Sequence, residues 1–394
     1  HSPMEPMNAV VRIDGEEADV WTGIQFPSAV PGLVSRVADI PAENVRFHQT
    51  YLGGGFGRRG SPSHIIEATE IAKVSGKPIQ LVWTREDDIQ QGPFRPASLM
   101  RIKAGVDTDG NLIAWDAARA GADISPDTFR SLLPALYSWM GDGMIEGVAN
   151  LSEWYFEKFA TDESSTEGLF EDYDQPNTRV THMTVDHELP MTFWRSVGHS
   201  YTAFAKESMI DEMAEAAGMD EVAFRLQNTQ NAPRLNNVIR VAGEHMVKMN
   251  PPAGHHLGFA AHHSFYTDVA EIAEVSVENG KIRVHKVTCV LDCGQAVNPD
   301  IVRSQIEGGV IYGLTATLYG GLNLEAGAIK ESNFHDYPML RMDESPEIEV
   351  IIIDSGTKPT GVGEPGLPPI APAVANAVYK ATGQRLRSLP LQLA

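Results

Sequence analysis

The sequence predicts an α+β fold, with mixed sheets, hairpins and packed helices. Three observations carry this expectation. Asp14-Gly15, Asp109-Gly110 and Asn279-Gly280 each separate apolar stretches and read as tight hairpin turns. A strand, a glycine loop, a helix and a second strand follow one another over residues 45–83. The second half of the chain carries long helical patterns closed by glycine.

In chain order, Val45, Phe47 and Tyr51 fall on alternate positions and mark a strand that enters the stretch YLGGGFGRRG, residues 51–60. Ser63 to Val74 reads as a helix, with Gly76 as its stop and Pro78 beyond. Ile79, Leu81 and Trp83 then alternate as a strand. Residues 120–180 are the least regular. Between Glu153 and Asp174 eight carboxylates stand against one lysine, which reads as a solvated loop region, with a funnel rim or partner contact as the alternative. Ser200 to Ala217 is helical: Tyr201, Ala205, Met209 and Met213 make an i, i+4 stripe that Phe204 and Ala216 widen, and the stripe reads as core. A second helix, Met219 to Asn228, follows Gly218.

The clearest hairpin joins Val275–Val277 to Ile282–Val284. The three hairpins suggest a repeated architecture, but their flanking sequences differ too much to define a repeat. Pro299 to Leu318 reads as a helix despite Gly308, Gly309 and Gly313. Each interior glycine costs about 0.5–1 kcal/mol, so close packing or close ligand approach is implied. Ile348 to Ile353 is a strand, and its aliphatic run Val350–Ile353 reads as buried. Residues 361–366, GVGEPG, form a tight loop before a helix from Ile370 to Thr382, closed by Gly383. Two domains are expected, at residues 1–180 and 181–394.

Composition narrows the chemistry. The net charge of −21 disfavours nucleic acid, whose binding depends on Lys and Arg neutralising phosphates. No run approaches the length of about 18 apolar residues that spans a membrane. Cys289 and Cys293 are the only cysteines, so a disulfide framework or a cysteine-rich metal site is excluded. An iron–sulfur cluster would need thiolates from another polypeptide. The opening His1-Ser2-Pro3 reads as the start of a processed or partial chain, which leaves the compartment open.

Several readings compete for the glycine loop. A phosphate-binding P-loop would end in Gly-Lys-Ser/Thr, which is missing. Gly55-Phe56-Gly57-Arg58-Arg59-Gly60 fits the dinucleotide pattern formally. Pro62 follows at once, however, and no acidic residue closes a second strand at the expected spacing. A purely structural turn is the third reading. The fourth draws on the whole chain. GGGFGRR, WRSVGHSYTAFAKESMIDEMA, LDCGQAVNPDIVRSQIEGGVIYGL and GVGEPGLPPIAPAVANAV resemble, in this order, motifs of the molybdopterin-binding large subunits of the xanthine oxidase family. The likeness is greatest to the branch of isoquinoline 1-oxidoreductase β-subunits and membrane-linked aldehyde dehydrogenases.

That resemblance implies the family's cofactor-binding fold, and a molybdopterin cytosine dinucleotide whose molybdenum bears sulfido, oxo and hydroxide ligands and takes none from the protein. His182, His187, His199, His255, His256, His262 and His263 are then not needed as ligands, and the tempting pairs His255-His256 and His262-His263 have no carboxylate or cysteine at zinc spacing. By resemblance Glu364 is the general base and Arg195 a cation facing substrate or cofactor. Gly54, Gly55, Phe56, Gly57, Arg58, Trp194, Ser196, Gln305 and Gly363 would contact the cofactor, with Phe56 walling the substrate slot. Arg58 and Arg59 would reach cofactor phosphates or the subunit surface. Apolar Pro365, Leu367 and Pro368 beside Glu364 should raise its pKa toward working pH.

The implied reaction is R–H + H₂O → R–OH + 2e⁻ + 2H⁺, on an aldehyde or an N-heteroaromatic. Electrons would leave through a separate 2Fe–2S subunit and, in this branch, a membrane cytochrome on the periplasmic side. The family's large subunit is about twice this length by resemblance, and its Met-Gly-Gln-Gly type motif is missing here. A companion chain or N-terminal half is therefore expected to complete the site. The alternatives are a non-catalytic remnant on the same fold and a nicotinamide-dependent dehydrogenase.

Overall fold

Strands β1 (Asn8–Asp14) and β2 (Glu17–Thr22) make the first hairpin, with Asp14 paired to Glu17. Helix α1 (Val30–Ala38), strand β3 (Val45–Gln49), helix α2 (Ser63–Ser75) and strand β4 (Ile79–Val82) complete a four-stranded sheet of order β3-β2-β1-β4. Val11 and Val20 pair across the hairpin and are buried with Val30, Leu33 and Ile65 of the two helices. The glycine loop leaves β3 at the edge of this sheet. The computed structural model describes residues 1–137, 140–158, 160–185 and 189–393, so His187 lies outside the described residues.

Helix α3 (Arg85–Gln90) starts from a reciprocal cap between Thr84 and Asp87. Strands β5 (Ser98–Val106) and β6 (Leu112–Gly121) form the second hairpin. Helices α4 (Ser125–Leu136), α5 (Asp142–Lys158) and α6 (Glu163–Thr166) follow, and strand β7 (Thr178–Thr184) returns parallel to β6. The expected solvated loop region is thus corrected. Asp162 is 1% exposed; it accepts from the Ile124 amide and from the Ser125 and Ser165 hydroxyls, and so anchors the chain entering α4. Asp172 pairs with buried Lys206 at 2.6 Å. A carboxylate with partners far along the chain does not need solvent, and a local charge count cannot see those partners.

The second half is layered. After α7 (His199–Ala216), α8 (Glu221–Gln227) and α9 (Pro233–Met246) come β8 (His255–Ser264), β9 (Thr267–Glu278) and β10 (Lys281–Asp292). Helix α10 (Pro299–Leu318), a small hairpin of β11 (Leu324–Glu325) and β12 (Ala328–Ile329), strand β13 (Glu347–Ile353) and helix α11 (Ile370–Thr382) follow. The main sheet has the order β13-β10-β9-β8, with β13 parallel to β10. Ile306 and Val310 of α10 and Val374 and Val378 of α11 pack on one face, and Leu235, Val238 and Ile239 of α9 on the other. The run Val350–Ile353 feeds both cores but is only half-buried, because β13 is an edge strand.

Helix α7 departs from its predicted stripe. Tyr201 and Phe204 are buried, Met209 and Met213 half-buried, and Ala216 exposed. Lys206, Glu207 and Asp211 are buried as well, because α7 packs on β5, β8 and α11 at once. Each charge has a partner: Asp172, Arg225 and Arg385 respectively. Leu112 and Trp115 of β6 share a core with Ile210, Ala214 and Phe224, so residues on both sides of position 180 are packed together.

Candidate active site

The glycine loop is held by its own second arginine. Arg59 is fully buried; it donates from Nε to Gly54 O at 2.9 Å, from Nη1 to Gly23 O at 3.0 Å and from Nη2 to Glu5 Oε2 at 2.8 Å. It fastens the loop to the segment around Glu5. Arg58 is 1% exposed and lies over the Trp83 ring, with Asp88 Oδ1 at 3.5 Å. Burial pulls its pKa down to about 10, and none of its three nitrogens makes a hydrogen bond among the described residues. Neither arginine reaches the surface, which removes that alternative.

Beyond the loop's apex the chain presses on a second segment. Gly57 has φ of 98°, and a Cβ there would sit 1.9 Å from Phe193 O, so the position demands glycine. Its amide donates to Gln25 Oε1 at 3.0 Å. The Phe56 carbonyl accepts from the Arg195 amide at 3.0 Å. The Phe56 ring stacks on Tyr312 at 4.3 Å, and Tyr312 stacks on Trp194 at 4.8 Å. Three segments therefore meet through one aromatic stack.

Arg195 joins this stack to the Glu364 loop. Its Nε donates to Gly363 O at 2.8 Å and its Nη2 to Gln305 O at 3.0 Å. Glu364 Oε1 accepts from the Ser196 amide at 3.1 Å, and the Ser196 hydroxyl donates to Glu364 O at 2.8 Å. Among the described residues no donor reaches Glu364 Oε2. Burial pushes the Glu364 carboxyl above the usual glutamate range, against the pull of the Ser196 amide and the Arg195 charge. Pro365, Leu367 and Pro368 beside it are buried. Helix α10 comes close enough to seat this loop because Gly309 has no side chain: a Cβ there would lie 3.1 Å from the Gly366 carbonyl carbon.

Backbone strain gathers at the same place. Phe56, Ser196, Val197, Phe265 and Tyr266 all have positive φ, from 48° to 72°. Non-glycine residues in that region cost about 1–3 kcal/mol each and persist where the surroundings over-determine them. Phe265 and Tyr266 turn the hairpin between β8 and β9, and the Gly361 amide donates to Phe265 O.

The structure thus brings Phe56, Gly57, Trp194, Arg195, Ser196, Gln305, Gly363 and Glu364 together, with Gly54 and Gly55 in the adjoining turn. Arg58 stands apart, beneath the loop. Sequence reasoning missed Gln25 and Tyr312. Tyr312 lies two helical turns beyond Gln305, a spacing that could have flagged it; Gln25 carries no local signal. Among the described residues His182 pairs with Asp123, His255 with Glu274, His263 with Asp268, and His262 with His199.

The sequence matches two family models described as molybdopterin cofactor-binding domain, one over residues 1–123 and 154–229 and the other over residues 195–346. It is 34% identical over 403 residues to isoquinoline 1-oxidoreductase subunit beta of Brevundimonas diminuta, across 100% of this chain and 48% of that protein. It is 28% identical over 425 residues to a membrane-bound aldehyde dehydrogenase [pyrroloquinoline-quinone] of Gluconacetobacter polyoxogenes, across 100% of this chain and 52% of that protein. The chain spans about half the length of these curated relatives. Its fold superposes on quinoline 2-oxidoreductase from Pseudomonas putida 86 with a TM-score of 0.80 at 13% identity, over 97% of this chain and 72% of that one.

Proposed function

The chain belongs to the molybdopterin-binding subunits of the xanthine oxidase family, and on that premise we propose that it supplies part of the active site of a molybdenum hydroxylase. The reaction is oxidation of an aldehyde or an N-heteroaromatic carbon with water as the oxygen source. The observation that carries this is Glu364: a half-buried carboxyl with a raised pKa, held through one oxygen by a strained amide and bearing no donor on the other.

The residues present fit a pterin-held metal. They offer the backbone amides of Gly54, Gly55 and Phe56, which make no hydrogen bond among the described residues, the exposed Gln305 side chain and a carboxylate base, while the Gly57 amide is already taken by Gln25. When bound, the molybdopterin supplies the redox centre that takes two electrons from the substrate. Gln305 and the backbone of residues 54–56 would hold it, and Phe56 would wall the substrate side. Glu364 accepts the proton of the attacking oxygen at Oε2, and its raised pKa makes it a stronger base than an ordinary glutamate. Arg195 spends Nε and Nη2 on the Gly363 and Gln305 carbonyls, so its first contribution is to fix the Glu364 loop. The cofactor's cytosine dinucleotide form, a companion N-terminal half, a 2Fe–2S subunit and a cytochrome acceptor complete the proposal.

The test begins with the natively purified complex. About one molybdenum per chain, with cytidine monophosphate released on acid hydrolysis, is expected. Glu364→Gln should keep both and lose about 10²–10⁴-fold in kcat. Absence of molybdenum and nucleotide, with the companion half present, would move the chain to the non-catalytic remnant.

A further inference from the structure

A cavity of about 560 Å³ lies between β5, α7 and the tail that follows α11. Phe56, Gln305 and Glu364 do not line it; it shares Trp194 with the aromatic stack. We propose that this cavity is a second binding site, and that it takes an aliphatic monocarboxylate whose head group is held by Arg95 and Tyr337. The inference does not rest on the molybdenum reading of Glu364.

One end of the cavity holds a cation without a counter-charge. The Arg95 guanidinium lies over the rings of Trp194, at 4.3 Å, and Tyr201, at 5.8 Å. Its Nη2 donates to Ser200 O at 3.3 Å, and among the described residues no other acceptor and no carboxylate reaches it. Burial pulls its pKa down, and the groups that pull it back are the phenols of Tyr201, Tyr337 and Tyr312. A cation over a ring recovers only part of the hydration it gives up, so an anion is favoured beside it. The remaining N–H groups of the guanidinium fork match a carboxylate. Tyr337 lines the same cavity, and its hydroxyl makes no hydrogen bond among the described residues. Arg387 also lines the cavity, but both its terminal nitrogens donate to Glu212. Among the described side chains that line the cavity, one positive charge is therefore left unpaired, which suits a monoanion and leaves the second charge of a phosphate unmet.

The walls define the body of the ligand. Met100 and Ile102 of β5, Phe204 and Met209 of α7, and Leu386 and Leu389 of the tail line the cavity. The volume is that of a small-molecule site, and the two methionines can adapt to a flexible chain. The Trp194 and Tyr201 rings are already occupied by Arg95, so a ligand ring finds few free faces and an alkyl chain finds many contacts. Each methylene buried against such walls should tighten binding about fourfold.

The test is titration calorimetry of the natively purified complex with octanoate, hexanoate, 1-octanol, benzoate and acetate. Octanoate should bind about 10-fold tighter than hexanoate and about 10- to 100-fold tighter than 1-octanol. Arg95→Gln should abolish the preference for octanoate over 1-octanol and leave the affinity for 1-octanol unchanged. Tyr337→Phe, which removes one hydroxyl, should weaken octanoate about 3- to 10-fold and keeps the test open if Arg95→Gln does not fold. Octanoate should also raise the Tm of the wild type and not that of Arg95→Gln. Equal affinity for octanoate and 1-octanol overturns the carboxylate. Benzoate binding tighter than octanoate overturns the aliphatic body, and acetate binding as tightly as octanoate reduces the site to one for small anions. Octanoate affinity unchanged in both variants puts the ligand elsewhere and overturns the site, as does a complex that binds none of the five.

Discussion

Tyr266 is 78% exposed, yet it holds φ of 62° beside Phe265 at 51°. A side chain in that region costs roughly 1–2 kcal/mol, and glycine's extra entropy in the unfolded chain returns about 0.5–1 of it. Tyr266→Gly is therefore expected to stabilise the protein by about 0.5–1 kcal/mol in urea denaturation. A loss of stability instead would mean that the ring makes a contact worth more than the strain. This pair also shows where single residues stop being legible. The hairpins at Asp14-Gly15 and Asn279-Gly280 announce themselves, whereas Phe265-Tyr266 turns just as tightly with residues that signal a strand. Glu364, Arg195 and Gln305 were found through motifs and meet in space. Tyr312 was hidden because its stacking partners, Phe56 and Trp194, lie far from it in the chain.

Strand β9 carries a carboxyl where its neighbours are apolar. Glu271 is fully buried, accepts from the Cys289 thiol, and is pushed up to about 8 by burial. An unfolded chain releases that proton near pH 4.3. From there to about pH 8 the folded protein holds a proton the unfolded chain has lost, so this group's stabilisation is full at low pH and fades as pH rises. Glu271→Gln copies the protonated form. Its Tm should fall less than that of the wild type between about pH 5 and pH 8; parallel falls would show that Glu271 does not titrate there. Elements with local stop signals were read closely. The helix Pro299–Leu318 emerged at its predicted limits because Asn298 caps it and proline opens it. Helices α4 to α6 were lost among acidic residues whose partners lie elsewhere in the chain.

At the scale of the molecule, one buried ion pair ties several layers together. Glu207 of α7 receives Arg225 Nε at 3.0 Å, the Tyr173 hydroxyl at 2.8 Å and the Ala261 amide of β8 at 3.0 Å, and both charges are 0% exposed. Arg225→Ala strands the carboxylate, and the expected cost is about 3–5 kcal/mol in equilibrium denaturation. A loss below about 1 kcal/mol would be the behaviour of a solvent-screened pair. The α+β class was legible from turn spacing. The way the sheets share α7 was not, since no periodicity records which face meets a second layer.

The parallel pairing of β10 with β13 has a consequence in time. The loop bearing Glu364 follows β13, and β13 finds its place only beside a strand made about 60 residues earlier. At roughly 5–20 residues per second, a ribosome finishes the Gly57 loop some 15–60 s before it delivers Glu364. For that interval the nascent chain owns one jaw of the site and lacks the other. The two jaws of the proposed site meet only after β13 has docked, so a cofactor held between them would be loaded onto a chain already synthesised.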